Sequence, residues 1–188
     1  MKWLKISIFS LAVFMVYIPS PARGQPFSIR TGIYEFSDIT AREFYVLAPT
    51  ILAGYDVWKK SRLGLEVSAG LSFNSIRYNG RHHNLYMVPV FVTVNYDLPN
   101  PDSRVHPVIG GGFGLMGKAD ANTSLGKTHY SLAYGYHAVG GLHFLTRRNV
   151  TLTLDLTYNF IIPPASEDLD ISGLMTMIGI RLPLRTKE

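Results

Sequence analysis

Val150-Thr-Leu-Thr-Leu-Asp-Leu-Thr-Tyr-Asn-Phe160 carries Val, Leu, Leu, Leu, Tyr and Phe at its even positions and Thr, Thr, Asp, Thr and Asn at its odd ones. Residues two apart share one face of a strand, so this run has one oily face and one hydrophilic face, and no helical period accounts for it. Leu65 to Asn74 repeats the pattern, with Leu65, Val67, Ala69, Leu71 and Phe73 opposing Glu66, Ser68, Gly70, Ser72 and Asn74. Further strands are expected over about 27–36, 44–58, 85–97, 105–117, 128–145 and 171–184, which makes eight in all. The strand 44–58 is apolar on both phases and its faces stay unassigned.

Lys59, Lys60, Lys118, Lys127 and Lys187 all fall outside the strand-like stretches, where a soluble β-protein would place many lysines on its strands. Neither face therefore looks solvated, and the expected architecture is all-β: an eight-stranded antiparallel up-and-down transmembrane β-barrel. Its oily phase would face lipid and its small polar residues a narrow lumen. Tyr86 with Tyr96, Tyr130 with Phe144, and Phe73, Tyr158 and Phe160 lie near strand ends on the oily phase, as in two interfacial girdles. Tight connections at Lys59–Arg62, Leu98–Arg104 and Thr146–Asn149 alternate with longer polar ones at Ser75–Asn84, Lys118–Lys127 and Pro163–Asp170.

The N-terminus reads as an export signal. Lys2 and Lys5 precede an apolar run, Ile6 to Ile18, and Ala22 and Gly24 have the small-residue spacing of a cleavage site between Gly24 and Gln25. The expected organisation is a signal peptide at 1–24 and one outer-membrane barrel domain at 25–188. Removing the signal lowers the formal charge from +5 to +2, leaving no basic run suited to nucleic acid. The chain has no cysteine, which excludes thiol catalysis, a disulfide framework and a lipid-modified N-terminal cysteine.

Val105-His-Pro-Val-Ile-Gly-Gly-Gly-Phe-Gly-Leu115, Ala138-Val-Gly-Gly-Leu-His-Phe144 and Arg148 to Tyr158 together resemble the small outer-membrane β-barrel domain family of Gram-negative bacteria. The last strand, with Gly179, Leu182 and Leu184, is similar to that family's C-terminal assembly signal, although it lacks a final aromatic. The resemblance implies residence in the outer membrane, contact with lipopolysaccharide or phospholipid, and handling by the barrel assembly machinery.

Several candidate sites have plainer readings. Gly112-Phe-Gly-Leu-Met-Gly117 matches a dinucleotide fingerprint, but a polar segment follows where a helix is required. His129-Tyr130-Ser131 resembles the His-x-Ser element of the lipid A deacylases, yet His129 and Ser131 share the inward phase, Leu132 replaces the usual Asn, and no acid is evident to orient the histidine. His106, His137 and His143 also fall inward, with His106 expected opposite His143; polar lumen packing is preferred to a metal site, which wants four ligands.

The inward charges Arg30, Glu66, Asp155 and Arg181 form the main candidate set. An eight-stranded barrel is just wide enough for side chains to fill, and ions buried there must pair. They are expected to form a salt-bridged plug, with no catalytic residue, metal or cofactor. Arg77, Tyr78, Arg81, His82 and His83 are expected in a long surface loop. The expected protein is a monomeric, non-enzymatic outer-membrane barrel with a lumen filled by polar side chains and no wide pore, serving a structural or surface-interaction role. The alternatives are a lipid A deacylase-like enzyme and a soluble lipocalin-like barrel with its oily phase inward.

Overall fold

The computed structural model describes residues 26–78, 81–100, 104–122, 127–146, 150–162 and 170–183, and the signal-like segment, the expected cleavage point and the tail lie outside them. The strands are β1 (Pro26–Phe36), β2 (Leu47–Lys60), β3 (Leu63–Tyr78), β4 (Arg81–Asp97), β5 (Val105–Asn122), β6 (Lys127–Leu145), β7 (Thr151–Ile162) and β8 (Gly173–Pro183). Each pairs antiparallel with the next, and β8 returns to β1, closing an eight-stranded up-and-down barrel. Closure pairs every edge, so no strand is left as a template for aggregation.

The faces follow the alternation. On β7, Leu152, Leu154 and Leu156 are 47%, 41% and 49% exposed, whereas Thr153 and Asp155 are 4% and 3% exposed. The oily phase is outside, which is the reverse of a lipocalin-like barrel. On β2 the ambiguity resolves with Ala48, Thr50, Leu52 and Asp56 inward and Leu47, Ile51 and Val57 outward. Tyr86 and Tyr96 both face outward on β4. They are ten residue steps apart, which at about 3.4 Å per residue and a tilt of about 40° is roughly 26 Å. That matches the apolar height of an outer-membrane barrel.

The structure departs from expectation at the long-connection end. A helix, α1 (Ile39–Tyr45), occupies the first of these connections and replaces the start of the expected second strand. Asp38 caps it, accepting a hydrogen bond from the Ala41 backbone N–H at 2.9 Å. In the stretches Ser75–Asn84 and Lys118–Lys127 the described residues are strand, paired through Arg77 opposite His82 and Asp120 opposite His129. Lys118 is accordingly inside β5, with its side chain buried. Backbone pairing needs no oily face, so these strands continue above the apolar belt. β3 to β6 have 16, 17, 18 and 19 residues while β1, β7 and β8 have 11, 12 and 11, so the wall projects on one side. At the opposite end Ser61 and Arg62 alone join β2 to β3, with Ser61 at φ 56° as a two-residue hairpin requires.

In lipid vesicles, Leu154→Arg should cost about 2–4 kcal/mol, the penalty of a cation near mid-membrane. Thr153→Val exchanges a buried hydroxyl that has no hydrogen-bond partner for a methyl group. It should change stability by less than about 1 kcal/mol. Urea unfolding of both variants in one lipid reads the difference.

Candidate functional site

The interior has two tiers. In the half near the short turns, Arg30 of β1 and Arg181 of β8 come together because those strands form the closing seam. Both reach Glu66 of β3: Arg30 as an ion pair with Oε1, and Arg181 through Nη2 to Oε2 at 2.7 Å. Arg30 also faces Asp155 at 3.6 Å and Arg181 faces Asp56 at 3.5 Å. His143 Nε2 lies 3.1 Å from Asp155 Oδ1. All four candidate charges thus meet, and Asp56 and His143 join them. Asp56 escaped notice because the two apolar phases of β2 hid which side it faced. Gly54 makes the room: a Cβ there would lie 2.6 Å from Ser28 Oγ and 2.8 Å from Arg30 Nη2.

The other tier is apolar. Tyr34, Phe36, Leu52, Leu85, Met87, Phe91, Met116, Ile161, Met175 and Met177 form a buried cluster with Ala41 and Tyr45 of α1. The expectation of a lumen filled by polar side chains therefore holds for one half only. The inward phase of β1, β4 and β8 is itself apolar near the long connections, so alternation there does not separate a wet face from a dry one. α1 lies against this cluster, with its Tyr45 hydroxyl donating to Asp120 Oδ2 on β5 at 3.1 Å. Asn74 Nδ2 donates to the Tyr45 carbonyl at 2.9 Å. Burial, and then the Asp120 carboxylate, push the Tyr45 phenol well above its ordinary range. Where the tiers meet, Arg30, Glu66, Thr93, His137, Phe91 and Met175 border a cavity of about 20 Å³. That is room for about one water, not a channel.

The histidines divide. His106 stands opposite His143, as expected from the strand pairing. His137 Nε2 is 2.9 Å from Thr93 Oγ1, and its ring packs on Phe91. Among the described residues no three His, Cys, Asp or Glu side chains cluster as a metal site would need. His129 and Ser131 take the inward phase of β6, and the register corrects one point: Asp120 does stand opposite His129. Ser131 is registered against Lys118, and neither Ser131 nor His129 faces the oily exterior. Gly112, Gly114 and Gly117 all lie within β5, so no helix follows the glycine pattern.

No protein-family model matches the chain, and no curated protein does. Solved structures do. Neisserial surface protein A superposes with a TM-score of 0.59 at 17% identity, covering 86% of this chain and 96% of that one. Ail, the attachment invasion locus protein of Yersinia pestis, in complex with the heparin analogue sucrose octasulfate, gives 0.52 at 11% identity over 86% and 99%. The outer membrane enzyme PagL gives 0.52 at 12% over 84% and 99%. The fold is that of the small eight-stranded outer-membrane barrels. At such identities the likeness speaks to architecture alone, and one of these structures is an enzyme.

Truncating Glu66 leaves two buried guanidiniums facing one another, so Glu66→Ala should cost about 3–5 kcal/mol. Lys59→Ala removes the solvent-facing bridge to Asp97, 2.8 Å long, and should cost under about 1 kcal/mol. Equal losses in guanidinium unfolding would deny the interior charges their structural part.

Proposed function

We propose that this chain is an integral outer-membrane barrel, exported with loss of residues 1–24, that acts as a structural or surface-interaction element and not as an enzyme or a wide pore. One observation carries the reading: an oily exterior bounded by outward aromatics encloses a lumen closed by an ionic tier and an apolar tier. An oily belt of that height has no favourable place in water. Arg30, Glu66, Asp155 and Arg181 serve as the plug, since ions locked in mutual pairs are not free to escort solutes.

Absence of catalysis has its own support. An enzyme acting on membrane lipid needs its nucleophile and base at the lipid face, and His129 and Ser131 take the inward phase of β6 instead. Mass spectrometry of lipid A should show the same acyl pattern in a deletion strain and its parent. Outer-membrane lipid and the barrel assembly machinery are the partners this reading requires, and a monomer satisfies it, because closure leaves no edge to pair.

The location is tested by fractionation with N-terminal sequencing. The expected result is an outer-membrane protein beginning at Gln25, and a cytoplasmic pool retaining Met1 would overturn it. Conduction is tested separately. Purified barrel in planar bilayers should give no large steady conductance, whereas Glu66→Ala together with Met175→Ala should raise brief openings by loosening both tiers.

A further inference from the structure

The outer face of the β3–β4 hairpin forms a ladder of changing chemistry. Phe73 faces Tyr86 with ring centroids 5.2 Å apart. One step higher, Ser75 faces Asn84, joined by a 2.6 Å hydrogen bond. One step above that, Arg77 faces His82. Phe73, Tyr86, Ser75, Arg77 and His82 are all exposed. Apolar, aromatic, amide and cationic groups thus follow one another along a single line leaving the oily belt. Two-residue steps of about 3.4 Å per residue, tilted by about 40°, put the Arg77 backbone roughly 10 Å above Phe73.

Charge on this hairpin has one sign. No Asp or Glu occurs between Glu66 and Asp97, and among the described residues Arg77 makes no ion pair. The outward positions of the neighbouring projecting strands are uncharged: Ala119 and Ala121 on β5, Thr128 and Tyr130 on β6. Among the described residues, the outward positions of the projecting strands carry a basic side chain at this place alone.

We propose that the outer face of the β3–β4 hairpin docks the phosphates of outer-leaflet lipopolysaccharide, with Arg77 and His82 as the phosphate contacts and Phe73 and Tyr86 against its acyl region. The inference rests on the outer-membrane reading. A guanidinium offers phosphate a planar pair of N–H donors, and its long stem lets the head bend back toward the headgroup layer. The occupant is chosen by the whole ladder. A soluble polyanion would use the Arg77 guanidinium and leave the aromatic pair untouched, and a second copy placed face to face would oppose one guanidinium to another. A ligand with a phosphate above and hydrocarbon below uses every rung.

The test embeds the refolded full chain in phosphatidylcholine nanodiscs doped with bisphosphorylated lipid A or with its dephosphorylated form, and native mass spectrometry counts the lipid retained on the barrel. Wild type should hold the phosphorylated form, and Arg77→Ala with His82→Ala should reduce that retention about tenfold, as loss of a charge-assisted contact implies. The dephosphorylated form should be held weakly and equally by both. Because this second comparison can be made with wild type alone, a variant that misfolds does not spare the proposal. Equal retention of both lipids by wild type overturns it, as does undiminished retention by a folded variant, or capture of a sulfated oligosaccharide in preference to lipid A. A chain that stays soluble and never enters the discs overturns the membrane reading and this inference together.

Discussion

The inward ion set around Glu66 is the constraint from which the rest of the interior follows. Arg30 and Arg181 lie on the first and last strands, far apart in the chain, and share one carboxylate only when β1 and β8 have joined. The pairing therefore rewards closure in one register. Sliding β8 along β1 by one residue would turn Arg181 out of the lumen and an isoleucine into it, because the strand period is two. Buried ion pairs contribute little net stability over apolar substitutes, so their value here lies in making alternative closures costly.

The apolar tier answers a different need. Near the long connections the barrel mouth would be open to water, and polar side chains alone would leave a hydrated path. Tyr34, Phe36, Met87, Met116, Met175 and Met177 fill that end instead, and α1 lies over them with Ala41 and Tyr45 in contact. Methionine suits an interior whose shape is set by barrel curvature, because its unbranched chain fills irregular gaps. The Tyr45–Asp120 hydrogen bond fastens the helix to the far wall, so the lid is held from a strand to which it is not covalently adjacent.

Much of this was legible in the sequence, and the exceptions have physical causes. The strict alternation of Val150 to Phe160 set the faces of β7 and, by analogy, of β3, because lipid and lumen impose opposite demands on neighbouring residues. The inward placement of Arg30, Glu66, Asp155 and Arg181 followed from the same phase. β2 was harder, since an apolar lumen tier and an apolar exterior leave no contrast to read, and Asp56 was lost in that ambiguity. The helix was too short to show a period, and Asp38 as its cap was the one local sign. The strand overhang was missed for the opposite reason: above the oily belt both faces are polar, so Ser75 to Asn84 looked like loop.

That overhang connects the fold to whatever the protein does at the surface. An irregular loop carrying Arg77 and His82 would present them in many directions and lose entropy on meeting a partner. Paired strands fix the two side chains on one face, directly opposite each other, at a height set by the aromatic pair beneath. The same rule that puts leucine outward lower on β3 puts arginine outward above it, since both belong to one outward phase. Continuing the sheet past the membrane therefore turns a pattern that began as a solvation requirement into an oriented charged surface. It needs no further element of structure, and its position cannot drift unless the register of the whole barrel changes.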